Sequence, residues 1–96
     1  MSTLELLSQR KPALLRAAAH HRAFSLRVFG SVARGEDKPA SDIDFLVEFS
    51  PDASLLDLVG LKQEIEGILG RQADIVTPDG VSPFLREKIL DEARSL

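Results

Sequence analysis

Apolar and polar residues alternate with two different periods along this 96-residue chain, and each change of period marks a boundary. Ser2-Thr3-Leu4-Glu5 has the spacing of a capping box, with Ser2 at the N-cap and Glu5 three positions on. It predicts a short helix over Thr3–Gln9. Pro12 lacks an N–H and costs about 3 kcal/mol inside a helix. A second helix is therefore predicted over Lys11–His21, with Leu14, Leu15 and Ala18 inward. Phe24 to Phe29 then alternates with a period of two, which predicts a strand with Phe24, Leu26 and Val28 on one side. Gly30 stops it, and Ser31–Ala33 suits a short helical turn.

Glu36 to Ser41 is polar, contains Pro39 and reads as a loop. Ile43 to Phe49 is the second strand, with Ile43, Phe45, Val47 and Phe49 on one face and Asp42, Asp44, Leu46 and Glu48 on the other. Pro51 ends that region. The strongest helical pattern runs over Ser54–Leu69, with Ser54 as N-cap, Asp57 in the first turn and Leu58, Leu61, Ile65 and Ile68 as the stripe. Gly60 and Gly67 inside it predict close approach of another element, and Gly70 is placed to end it. Arg71–Thr77 is a third strand, Pro78-Asp79-Gly80 a turn, and Ser82-Pro83 opens a last helix with Leu85, Ile89 and Ala93 toward the sheet. No repeat, linker or low-complexity segment interrupts the series, so residues 1–96 read as one domain.

Composition narrows the class. A hydrophobic share of 44% permits a core, though a small one whose stability can lean on a partner. Leu4, Leu7 and Leu96, near the chain ends, are the apolar residues read as free for that partner. There are no cysteines, which excludes disulfides and thiolate metal sites. No apolar run approaches the roughly 20 residues of a membrane span, and no basic segment followed by an apolar region marks a signal peptide. The expectation is a cytoplasmic location without a membrane. A net charge of −3 and five aromatic residues, all Phe, argue against duplex nucleic-acid binding and base stacking.

The chemistry concentrates in one stretch. Asp42 and Asp44 stand at i and i+2 of a strand and point the same way. Two such carboxylates repel unless a cation lies between them, and Mg²⁺ accepts a few carboxylates together with phosphate oxygens. The plain alternative is that Asp42 caps a turn and Asp44 is exposed at the strand's start. Just upstream, Gly30-Ser31 leaves a strand and offers unpaired backbone N–H groups to a phosphate. Asp74 is a third carboxylate where an apolar residue is expected, and it joins Asp42 and Asp44 on one face if the third strand lies beside the second. These three aspartates match the whole net charge of −3, so the acidity can belong to the site. For His20 and His21 a metal or acid–base site is weighed against a solvated helix end, and the second is preferred because adjacent residues of a helix diverge.

Gly30-Ser31, ten intervening residues and then Asp42-Ile43-Asp44 closely resemble the signature of the DNA polymerase β-type nucleotidyltransferase superfamily. The whole chain resembles its smallest members, the minimal nucleotidyltransferases, often encoded beside a HEPN-domain protein as the antitoxin of a toxin–antitoxin pair. The resemblance implies an α+β fold, an α/β sandwich of a small mixed β-sheet with helices packed on one face. It implies that Gly30 and Ser31 hold the β- and γ-phosphates, that Asp42 and Asp44 ligate one or two Mg²⁺ ions, and that Asp74 ligates the catalytic metal and helps activate the acceptor hydroxyl. Arg34 then reads either as a fork of donors to a phosphate or as a surface arginine.

Three functions follow as expectations. The first is a Mg²⁺-dependent nucleotidyltransferase moving a nucleoside monophosphate, AMP from ATP, onto a hydroxyl of a partner protein. The resemblance implies a tyrosine of a HEPN toxin and a hetero-oligomer. The second is a non-catalytic antitoxin or binding module that works by occlusion. The third is an aminoglycoside-type transferase acting on a small molecule, disfavoured because nothing beyond the catalytic sheet and its helices remains to bind that acceptor.

Overall fold

In the computed structural model, which describes residues 2–96, one continuous helix α1 covers Thr3–His20 with Pro12 inside it. This corrects the two-helix expectation. Pro12 removes the N–H that would meet the Ser8 carbonyl, but both residues face water, which can satisfy that carbonyl. Leu7 and Leu14, two turns apart on either side, are both fully buried and hold the two halves on one core. The capping box forms as read: the Glu5 N–H donates to Ser2 Oγ at 3.1 Å, and the Ser2 N–H to Glu5 at 3.4 Å. Leu15 falls off the Leu7, Leu14, Ala17 and Ala18 stripe and is 44% exposed, so it is not a core residue.

The chain continues as β1 (Ala23–Phe29), α2 (Gly30–Arg34), β2 (Ile43–Phe49), α3 (Leu55–Leu69), β3 (Ala73–Val76), a 3₁₀ turn (Pro78–Gly80), α4 (Pro83–Glu92) and β4 (Arg94–Ser95). The strands form one mixed sheet in the order β3-β2-β1-β4. β1 is antiparallel to β2 and β4, and β2 is parallel to β3 across the α3 crossover. This is an α+β arrangement. Ile43, Phe45 and Val47, all at 0% exposure, join Leu14, Leu26, Val28, Leu61, Ile65 and Ala73 in one core beneath α1 and α3. Asp44 and Leu46 alternate to the opposite face.

Several local readings change. A bulge between Ala23 and Ser25 leaves Phe24 out of register, so Phe24 is 68% exposed while Ala23 takes the inward place. Leu58 and Ile68 are half-buried, and Leu69 completes the α3 stripe with Leu61 and Ile65. Gly60 does meet a neighbour, the His21 ring, whereas Gly67 faces open space. Gly70, at φ +67°, ends α3 in the left-handed conformation. Leu85 does not face the sheet: α4 contains no fully buried residue, and Phe84 and Leu85 are exposed. Leu7 belongs to the core and Leu4 and Leu96 pack against it, so these three are not free for a partner. Among the described residues no helix is long and apolar enough to cross a membrane.

Candidate functional site

The parallel pairing of β2 with β3 sets the site. Its register matches Ile43 with Ala73 and Asp44 with Asp74. Neighbouring residues at one level of a sheet project their side chains to the same face, about 5 Å apart. Asp44 also pairs with Phe29 on its other side, the last residue of β1 before Gly30. Asp42 lies two residues earlier, just before β2, exposed and close enough for its charge to act on Asp44. Strand pairing therefore brings Asp44, Asp74 and the Gly30 turn together at one end of the sheet, with Asp42 at the entry to β2.

Gly30 is required there. Its φ is +73°, and a Cβ on it would stand 2.4 Å from Asp44 Oδ2. Only glycine lets the carboxylate lie against the backbone at the start of α2, where the first N–H groups have no partner within the helix. Ser31 follows in that first turn. Gly35 closes α2 in the left-handed conformation, at φ +71°.

The electrostatics are unresolved within the protein itself. Among the described residues, none of Asp42, Asp44 and Asp74 accepts a hydrogen bond or forms an ion pair, and Arg34, whose charge acts on Asp44, is engaged by Glu36 and Glu92. Burial pushes the Asp44 carboxyl above the usual carboxylate range, and the charges of Asp74 and Asp42 push it further, against a smaller opposing pull from Arg34. Arg34 donates from Nε to Glu36 at 3.1 Å and from Nη1 to Glu92 on α4 at 2.6 Å, and these partners raise its own pKa. The donor set left over is three carboxylates, all oxygen, which suits a hard cation such as Mg²⁺ and not a soft one.

Positioning residues that the sequence pattern did not disclose surround this end. Arg71 donates to Thr3 Oγ1 at 2.7 Å and to the Ser41 carbonyl at 2.6 Å, and it lies 3.6 Å from Asp37, whose carboxylate also accepts from the Thr3 hydroxyl. It ties the segment just before Asp42 to α1. Glu66 accepts from the Ala73 N–H at 3.0 Å and from Lys62 Nζ at 3.3 Å, which fixes the start of β3 and with it the level of Asp74. Apart from the i,i+4 pair Lys62–Glu66, these partners lie 7 to 68 residues apart in the chain, so no helical or strand spacing announces them. A groove of about 320 Å³ lined by Ser41, Asp42, Gly70, Arg71 and Gln72 takes in the first of the three aspartates. His20 and His21 are not simply solvated: both rings turn onto Glu64 of α3, with His21 Nε2 at 2.8 Å.

Comparison with known proteins agrees with this geometry. The profile of the family described as nucleotidyltransferase domain matches residues 13–96. A Methanocaldococcus jannaschii relative, provisionally named a protein adenylyltransferase, is 53% identical over 66 residues, covering 69% of this chain and 71% of its own. A solved structure, provisionally described as a minimal nucleotidyltransferase, superposes with a TM-score of 0.90 at 49% identity, over 100% of this chain and 97% of that one. A toxin–antitoxin structure solved with AMP-PNP shares the fold, with a TM-score of 0.73 at 19% identity over 88% of this chain and 69% of that one. A mixed sheet that brings three unpaired carboxylates beside a glycine turn, and a family match over most of the sequence, lead to one conclusion: this chain belongs to the nucleotidyltransferase domain family, and it is similar to the family's minimal members.

Proposed function

We propose that the chain transfers AMP from ATP to a hydroxyl of a partner protein, with Asp42, Asp44 and Asp74 holding one or two Mg²⁺ ions. The observation that carries this is the unpaired carboxylate set, with Asp44 held above its ordinary pKa by burial and by its neighbours. A cation relieves the repulsion within such a set, and its all-oxygen chemistry fits Mg²⁺. Bound there, the metal would offset charge on the phosphates and on the attacking and leaving oxygens.

The protein's own residues do the rest by position. Gly30 and Ser31 present backbone N–H groups, with no side chain in the way, to the β- and γ-phosphates. Asp74, on the more exposed strand, accepts the proton of the acceptor hydroxyl. The acceptor oxygen then bonds to the α-phosphorus as the bond to the β-phosphate oxygen breaks, and pyrophosphate leaves. Arg34 reaches the phosphates only by releasing Glu36 or Glu92. The relative's name supports AMP as the group moved and a protein as the acceptor. The neighbouring toxin–antitoxin structure with AMP-PNP supports an ATP donor and a toxin partner, which the family resemblance makes a HEPN-domain protein. On this reading the chain is a single-domain, cytoplasmic antitoxin that works in a hetero-oligomer.

Incubation with Mg²⁺, α-labelled ATP and host lysate tests the reading, with Asp44→Asn alongside. Label is expected on a discrete protein band, and only with the intact aspartate. A second reading, neutralisation by occlusion, is favoured by Phe84 at 95% and Leu85 at 54% exposure on α4. It predicts that an Asp42→Asn, Asp44→Asn double variant still neutralises the toxin.

A further inference from the structure

A second cluster of ligating groups lies at the other end of β1, seven residues or about 20 Å from the Gly30 turn. His20 closes α1 and His21 is its C-cap, with φ −108° and ψ 24°. Arg22 follows in the left-handed region at φ +62°. The chain thus leaves the helix between the two histidines and the next strand, and the rings do not diverge as they would inside a helix. Their centroids are 4.9 Å apart. Both meet the same oxygen of Glu64 on α3: His21 Nε2 at 2.8 Å and His20 Nδ1 at 3.5 Å.

We propose that His20, His21 and Glu64 form a binding site for one borderline divalent cation of the zinc class, clamping the end of α1 to α3. The donor atoms of all three lie within 4.8 Å of one another. Tetrahedral ligands at about 2.0–2.1 Å from zinc stand about 3.3 Å apart, and the two nitrogen–oxygen separations bracket that value. Two imidazoles and one carboxylate are a zinc donor set that leaves a fourth position for water.

An ion pair alone does not account for the arrangement. One protonated ring satisfies one carboxylate oxygen. Holding a second, largely exposed ring on the same oxygen costs side-chain entropy for a contact at the limit of hydrogen bonding. Two charged rings at this spacing would repel, whereas a single cation engages all three groups. It would also sit at the C-terminus of α1, where the helix dipole favours positive charge. The His21 ring is seated as well: a Cβ at Gly60 would stand 2.6 Å from its Cε1 and 2.9 Å from its Nδ1, so the glycine opens the space that aims the imidazole at Glu64. The nitrogen donors separate this site from the all-carboxylate set, which suits a harder ion.

The test is calorimetric titration of the purified chain with ZnCl₂ in excess Mg²⁺. The native protein is compared with His20→Ala and with the Asp42→Asn, Asp44→Asn double variant, which removes the carboxylate pair. His20 is exposed, so its replacement leaves the fold intact. The expected result is a zinc site that the double aspartate variant keeps and that His20→Ala weakens at least about tenfold, since loss of an outer-shell partner alone typically costs that much. Zinc binding unchanged by His20→Ala, or abolished by the double aspartate variant, overturns the assignment. Either outcome is independent of whether the carboxylates support nucleotide transfer.

Discussion

Asp44→Asn should make the metal-free protein more stable. Asp44 and Asp74 share one level of adjacent strands, about 5 Å apart. At that distance two charges repel by about 0.8 kcal/mol in water and about 3 kcal/mol at an effective dielectric of 20. Asp74 and Asp42 face solvent, so the lower end applies, about 1 kcal/mol. For a domain of this size that is about 4–8 °C in Tm. Asparagine keeps the shape that fits against Gly30 and removes the charge. The pH dependence follows from the raised Asp44 pKa. Between the ordinary carboxylate pKa and the raised one, the folded state holds more protons than the unfolded chain, so stability falls as pH rises through that window. The penalty is complete above it and absent below the ordinary value. Thermal melts in chelated buffer at pH 7 and near pH 3 would therefore show the variant ahead only at pH 7. Adding Mg²⁺ would raise the native Tm and leave the variant's nearly unchanged. A variant less stable than native at pH 7 without metal would refute the account of these carboxylates as mutually repelling.

Two further substitutions probe how the site is held. Gly30→Ala combines positive φ with a Cβ inside Asp44, and should cost about 1–3 kcal/mol in urea unfolding while Mg²⁺ no longer raises the Tm; native-like values for both would sink the close-contact argument. Arg71→Met removes hydrogen bonds to Thr3 and Ser41 and strands a mostly buried Asp37. It should cost about 2–4 kcal/mol and weaken Mg²⁺-dependent nucleotide binding by loosening the segment before Asp42, and a change below about 0.5 kcal/mol would show that the network is ornamental.

Where local pattern and tertiary demand agreed, the sequence was readable. β2 runs over the predicted Ile43–Phe49, because strict alternation and a flanking loop leave no other period. The capping box at Ser2 formed, Ser54 took the N-cap of α3, and Gly70 ended that helix. Asp44 and Asp74 stood out as charges in apolar strands, and their meeting needed only the parallel register. What failed depended on distant partners. Pro12 was absorbed because Leu7 and Leu14 clamp the helix on both sides. Phe24 was displaced by a bulge that no alternation reveals. β4 is two residues, Arg94–Ser95, defined only by pairing with β1. The Arg34–Glu92 pair and the convergence of His20 and His21 on Glu64 join residues 58 and more than 40 positions apart.

The central claim is that Asp42, Asp44 and Asp74 hold metal for transfer of AMP to a protein hydroxyl. The most direct measurement follows α-labelled ATP into protein with the native chain and with Asp44→Asn, after melts have shown that the variant is folded. The account predicts Mg²⁺-dependent label on one protein acceptor with the native chain and none with the variant. Equal labelling by the folded variant would contradict it.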